Sequence, residues 1–166
     1  MNWRRVFKRV GVLISAGCTV RVFSSYIASI VVCDGVSMNP AIMDGDIVIV
    51  EKISTLLYKH ERGSIIVANS LHSNDPHSLI CKRIVATPHD LIPFERENRK
   101  TRWKDRKYVP KGHVWLEGDN KSESIDSRKY GSLPIGLIQG RVVFRVWPLS
   151  RIGCVASNMK AKHRER

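Results

Sequence analysis

The chain has 166 residues, 43% hydrophobic and 26% charged, with no internal repeat or low-complexity tract; this length suits one domain plus an appendage and excludes a fold that depends on disulfide staples. Its net charge of +13 and pI near 10.0 would suit nucleic acid or an anionic bilayer. The basic residues are dispersed, and no helix-turn-helix, zinc-finger or stacking-aromatic pattern accompanies them, so a lipid surface is the expected partner and nucleic acid is not.

Residues 1–33 form the first expected segment. Arg4, Arg5, Lys8 and Arg9 precede an acid-free stretch, "VGVLISAGCTVRVFSSYIASIVVC" at 10–33. That stretch is apolar enough to predict a single membrane-spanning helix, for which about 20 residues suffice. Arg21 falls near its middle, where an arginine costs about 2.5 to 3.5 kcal/mol unless it snorkels or faces a partner helix. A cleaved targeting peptide and an amphipathic surface helix are the alternatives. With a spanning helix, the basic start stays on the positive-inside face and everything after Cys33 lies on the far side.

Beyond Cys33 the pattern changes to short apolar stretches punctuated by Gly, Pro, Asn and Asp, which predicts strands and turns. Five strands are expected, at 46–53, 64–70, 78–86, 113–118 and 140–148. Loops are expected at "LYKHERG" and "SNDPHS", and an exposed loop or edge hairpin over 93–111. The fold class is therefore mainly β, an antiparallel sheet or barrel-like domain over 34–152 behind one helix, with a basic tail at 153–166. Cys18, Cys33, Cys81 and Cys154 form no C-x-x-C pair, which argues against a zinc or redox motif and predicts buried thiols. Spacing alone leaves a disulfide between two of them open.

Three stretches carry candidate chemistry. In "GVSMNP" (35–40), Ser37 sits between Gly35, which permits close backbone approach, and Pro40, which fixes the chain. In "LICKRIVA" (79–86), alternation puts Ile80, Lys82 and Ile84 on one face and Cys81, Arg83 and Val85 on the other. A lysine among aliphatic neighbours loses hydration, so its pKa should fall and a neutral amine become a usable general base. Ser-Lys pairs are a known variant of the serine-hydrolase arrangement. The plain reading of Lys82 alone is an edge-strand lysine snorkelling past the isoleucines, and of Ser37 alone a turn hydroxyl. In "GDNKSESIDSRKYG" (118–131), the plain expectation is a turn in which Asp126 pairs with Arg128 while Asp119 and Asn120 cap the backbone. The sharper one adds Ser124 as a hydroxyl that accepts a bond from the lysine and aims it.

Taken in order behind an N-terminal anchor, "GVSMNP", "RGSIIV" (62–67), "KRIVATPHD" (82–90) and "GDNKSESIDSRKYG" resemble the type I signal peptidases over residues 30 to 150. The compact length, "VPKGHVWLEGDN" through "GLIQGRV", and "FRVWPLS" are most similar to the mitochondrial inner membrane branch of that family. The resemblance implies Ser37 as nucleophile, Lys82 as general base and Ser124 as the hydroxyl that orients the lysine. It implies the Ser37 backbone N–H as oxyanion donor and Met38, Asp119, Asn120, Asp126 and Arg128 as support. Gly35 stands where many bacterial members carry a serine that gives a second oxyanion donor. "NPAI" replaces the usual Pro-Thr, the "KRIVATPHD" box lacks its common glycine, and endoplasmic-reticulum relatives carry histidine where Lys82 stands.

From this follow the remaining expectations. The enzyme would be a serine endopeptidase without metal or cofactor, cutting presequences at the inner membrane with its catalytic face in the intermembrane space. Its partners would be presequences, membrane lipid and a second peptidase subunit, with a bacterial plasma membrane as the alternative location. An extended substrate would add as a strand near Asp34, Gly35, Ile80 and Cys81. Rival readings are a Ser-His enzyme, disfavoured because the histidines lack acidic partners at suggestive spacing, and a self-cleaving repressor, disfavoured by an apolar helix where a DNA-binding domain would stand. A non-catalytic presequence-binding scaffold is the third.

Overall fold

The computed structural model describes residues 3–71, 78–92 and 108–155. The chain opens with helix α1, Trp3–Tyr26, and then enters eight strands: β1 Ala28–Val32, β2 Ile47–Glu51, β3 Ile65–Asn69, β4 Leu79–Ala86, β5 His113–Glu117, β6 Leu133–Pro134, β7 Ile138–Trp147 and β8 Gly153–Cys154. Two four-residue helices, α2 (Ile53–Leu56) and α3 (Ser127–Tyr130), interrupt them. The strands form one antiparallel sheet in the order β1-β2-β7-β3-β4-β5-β6, with β8 on β7. The expected mainly antiparallel β class describes it.

The residues dictate this arrangement through burial on two faces. β3 reads Ile65, Ile66, Val67, Ala68 without polar alternation because both its faces are covered. Ile65 and Val67 join Cys33, Met38, Ile42, Val48, Val50 and Val142 in one cluster. Ile66 and Ala68 join Ile84, Val114, Leu116, Leu133 and Ile138 in another. A third cluster, Ala86, Ile92, Val109 and Trp115, closes the far end of β5. Close approach of β2 to β7 requires Gly140, where a Cβ would stand 2.5 Å from the Glu51 carbonyl oxygen.

The N-terminal expectation is corrected in two respects. The helix ends at Tyr26, and Ala28–Val32, expected inside a span running to Cys33, instead pairs with β2 as an edge strand. The β-branched Ile30, Val31 and Val32 find partners in Ile49, Val48 and Ile47 there, and a strand uses that bulk better than a helix does. Among the described residues no helix is long and apolar enough to cross a membrane. Arg21 interrupts the apolar face of α1, and only Val10 to Val20 lies uncharged between it and Arg9. The helix is tied to the sheet by Lys52, whose Nζ donates to the carbonyls of Ser24 at 2.8 Å and Ser25 at 3.3 Å, a cation placed at a helix C-terminus.

Other boundaries differ in smaller ways. β1 and β8 extend the sheet outside the expected 34–152 domain, and β6 and β8, two residues each, carry no periodicity to read. The four cysteines are free, and Cys18 and Cys154 are exposed where buried thiols were expected, because α1 and the edge strand β8 leave them uncovered. The "SNDPHS" loop except Ser78, the 93–107 part of the basic loop and residues 156–166 lie outside the described residues.

Candidate active site

Ser37 lies in the turn between β1 and β2. Gly35 adopts φ +98°, a left-handed conformation that favours glycine, and its N–H donates to Asp44 Oδ1 at 2.8 Å. Met38 and Ile42 drop into the core beneath this turn, so its position is set by packing rather than by local hydrogen bonds alone. No described residue accepts a hydrogen bond from the Ser37 N–H, which leaves that donor available to a ligand. Asp34 is exposed beside it.

Lys82 comes from the middle of β4, 45 positions away in the chain, and its Nζ donates to Ser37 Oγ at 2.6 Å. Ile66 stands opposite Lys82 in register, and Ile80 and Ile84 belong to the same apolar cluster as Ile66. Only 5% of Lys82 is exposed. Burial pushes its pKa below the ordinary lysine value, against the opposing pull of Cys81 and Asp126, while Arg128 adds to the lowering.

The segment after β5 holds the Ser37 turn from a third side. The Asn120 N–H donates to the Ser37 carbonyl at 3.0 Å, and Asn120 Nδ2 to the Val36 carbonyl at 3.2 Å. Asp126, fully buried, takes Arg128 Nε on Oδ1 and Nη2 on Oδ2, each at 2.8 Å, and the Gly118 N–H at 3.0 Å. Burial pushes the Asp126 carboxyl up, but the bonds from Arg128 and Gly118 outweigh it and hold its pKa at about 2; the Ser124 hydroxyl adds to the lowering without a bond of full geometry. Because the folded value lies below the ordinary 3.8, the stability this carboxylate contributes is present above pH 4 and fades as pH falls through 2. The unfolding free energies of the parent and an Asp126→Asn variant should converge by about 2 kcal/mol over that interval, read from denaturant melts.

Two expected roles come out differently. Asp119 does not cap the backbone; it accepts Arg83 Nε at 2.7 Å and Nη2 at 2.6 Å, while Arg83 Nη1 donates to the Gly63 carbonyl at 2.6 Å. A buried guanidinium has more to gain from a bidentate carboxylate than a turn does. Ser124 Oγ is buried and, among the described residues, has no hydrogen-bond partner, so it makes no bond to Lys82 in this structure.

Gly118 went unnoticed in the sequence, where only its place before Asp119 marks it. A Cβ there would stand 2.6 Å from the Ser37 carbonyl oxygen and closer still to Ser124 Oγ. Gly118→Ala must therefore push the Ser37 turn off the lysine strand. We expect it to cost about 1–3 kcal/mol in stability, measured by thermal melts; an unchanged melting temperature would refute the packing argument.

No group of three or more His, Cys, Asp or Glu side chains among the described residues could hold a metal ion. A half-buried hydroxyl against a desolvated amine, with a backbone N–H beside them, is equipped for acyl transfer.

A family model described as "Signal peptidase, peptidase S26" matches residues 3–100 and 93–147. The human mitochondrial inner membrane protease subunit 1 is 44% identical over 149 residues, covering 90% of this chain and 87% of that one. The zebrafish Danio rerio mitochondrial inner membrane protease subunit 2 is 34% identical over 158 residues, covering 89% and 80%. Among solved structures, a signal peptidase I from Enterococcus faecalis covers 49% of this chain and 94% of its own at 18% identity, with a TM-score of 0.35.

Proposed function

The chain belongs to the signal peptidase family, peptidase S26, and we propose that within it the protein is a serine endopeptidase of the mitochondrial inner membrane that removes sorting presequences with a Ser37–Lys82 dyad. The observation that carries this reading is the 2.6 Å contact between a buried lysine amine and the Ser37 hydroxyl. Its likeness to inner membrane protease subunits supports the location and a peptidase partner of the same family.

In the reactive form Lys82 is neutral, and the Ser37 O–H donates to its lone pair across the same contact. As Ser37 Oγ attacks the scissile carbonyl, the proton passes to Lys82, and the Ser37 N–H stabilises the oxygen that gains charge. The ammonium then protonates the leaving amine, and water, activated by the regenerated amine, hydrolyses the acyl-enzyme. Ser124 is buried beside Asp126; its orienting role belongs to the substrate-bound state. Met38 packs beneath the nucleophile, while Asp119, Asn120, Asp126 and Arg128 fix the turn that holds Ser37. Asp34, Gly35, Ile80 and Cys81 border the path of an extended substrate.

Membrane attachment needs company on this reading. α1 by itself carries Arg21 against lipid, and a partner subunit's helix would cover that charge. A peptide-like acylating inhibitor should label Ser37 in the full-length protein and leave Ser37→Ala unlabelled. Labelling that is indifferent to Ser37 would favour a presequence-binding scaffold instead.

A further inference from the structure

β1 ends the sheet and pairs only with β2, and β4 pairs with β5 only from Arg83 onward, so among the described residues Leu79–Lys82 also keep one unpaired edge. The sheet curls until Ser29 and Val31 of β1 and Leu79 of β4 line one cleft of about 320 Å³. Its two ends differ in chemistry. Val31, Val50 and Val67, at the end nearer Ser37, belong to the core cluster under the Ser37 turn. The other end is polar: Lys52, Asn69 and Gln139 bring an ammonium and two amides, with the Ser29 hydroxyl beside them. Asn69 stands opposite Leu79 in register, and the Lys52 N–H bonds the Ile27 carbonyl just before β1.

This end has the chemistry to hold an anion. None of the cleft's described lining residues is acidic, and Glu51, next to Lys52, is already engaged by Arg141 Nε and the Ser54 N–H. An ammonium has three hydrogens to donate. Lys52 Nζ gives two to the Ser24 and Ser25 carbonyls, which hold it in place and leave the third for a ligand. Leu79 lies three residues before Lys82 on β4, so at about 3.3 Å per residue the polar end is about 10 Å from the lysine. A peptide extended from a scissile bond at Ser37 reaches it with a side chain about three to five residues away. The bonds from Lys52 to Ser24 and Ser25 put this end beside the C-terminus of α1, the side from which a membrane-held presequence arrives, so those residues precede the cut.

We propose that the cleft is a subsite for an acidic substrate side chain about three to five residues before the scissile bond, selected by Lys52 with Asn69 and Gln139 as further donors. The position counted from the cut rests on the proposed peptidase reading; the preference of the cleft for a carboxylate does not.

The test uses full-length protein in detergent and presequence peptides in which Glu, Gln or Lys is scanned through the six positions before the cut and the three after it. Cleavage is followed with the parent, and binding of the same labelled peptides by fluorescence anisotropy with Ser37→Ala. Glu is expected to exceed Lys by at least roughly fivefold in kcat/KM and in affinity at the predicted positions, and the ratio should shrink as salt rises. Lys52→Met should bring the ratio near one, and Lys52→Arg should keep it. Asn69→Asp, which leaves Lys52 and its hold on α1 in place, should also erase the preference by setting a carboxylate in the cleft. Equal handling of Glu and Lys peptides, a preference found only after the cut, or a ratio that survives both Lys52→Met and Asn69→Asp overturns the subsite. Tighter binding of Glu peptides by Ser37→Ala with no cleavage by the parent counts against the peptidase reading and upholds the subsite.

Discussion

Lys82→Met is expected to lose cleavage by at least roughly 10² to 10⁴, the range typical of removing a general base, while the protein stays folded. The two effects separate because of where the amine sits. Methionine fills nearly the same volume among Ile66, Ile80 and Ile84 and needs no hydration. The folded-state pKa of Lys82 is lowered, so between that value and the ordinary 10.5 the unfolded chain holds a proton the folded chain has shed. Stability attributable to this residue is therefore weakest below the folded pKa and is gained as pH rises towards 10.5. At neutral pH the methionine removes that penalty, and the variant should melt no lower than the parent. Lys82→Arg should be as inactive, since a guanidinium does not give up its proton. In the parent, kcat/KM should climb with pH through the lowered pKa of the amine. Near-normal turnover by the methionine variant would end the dyad proposal.

The sequence made some of this readable and hid the rest for physical reasons. The stretches at 47–51, 65–69, 79–86, 113–117 and 138–147 are β-branched, bounded by turn residues and long enough to carry a pattern. Alternation within β4 put Lys82 with Ile80 and Ile84, and the register with Ile66 explains its dry surroundings. What alternation does not contain is that Lys82 meets Ser37, 45 positions away; the expectation came from the order of the family's boxes, which the periodicity of neither segment encodes. β1 was unreadable because Ala28–Val32 continues the apolar composition of α1, and only pairing with β2 tells strand from helix there. Arg83–Asp119 was hidden too: a turn sequence such as "GDN" offers its own backbone as a partner, and the arginine that wins comes from another strand.

Asp46 carries the other large effect, and nothing in "MDGDIVIV" distinguishes it from a turn aspartate. It is fully buried and takes Arg145 Nη1 on Oδ2 and Arg151 Nη2 on Oδ1, both at 2.7 Å, with the Met43 N–H on Oδ2 at 2.9 Å. Arg145 also donates to the Ala41 carbonyl at 3.2 Å and the Arg151 carbonyl at 2.9 Å. One carboxylate thus joins the stretch that follows Ser37 to the end of β7 and the turn beyond it. Removing it leaves two guanidinium groups without their anion, one of them mostly buried, and breaking a buried pair from one side costs about 3–5 kcal/mol. For a chain of this size that lowers Tm by about 10 °C, so Asp46→Ala should melt far below the parent and lose cleavage along with the geometry of the Ser37 turn. Adding Arg145→Met to Asp46→Ala should recover part of the loss, because the second change removes the orphaned charge, and a double-mutant cycle should return a coupling of at least about 1 kcal/mol. A single Asp46→Ala variant melting with the parent would mean that packing by Met38 and Ile42 holds the turn unaided, and that the buried charges only accompany it.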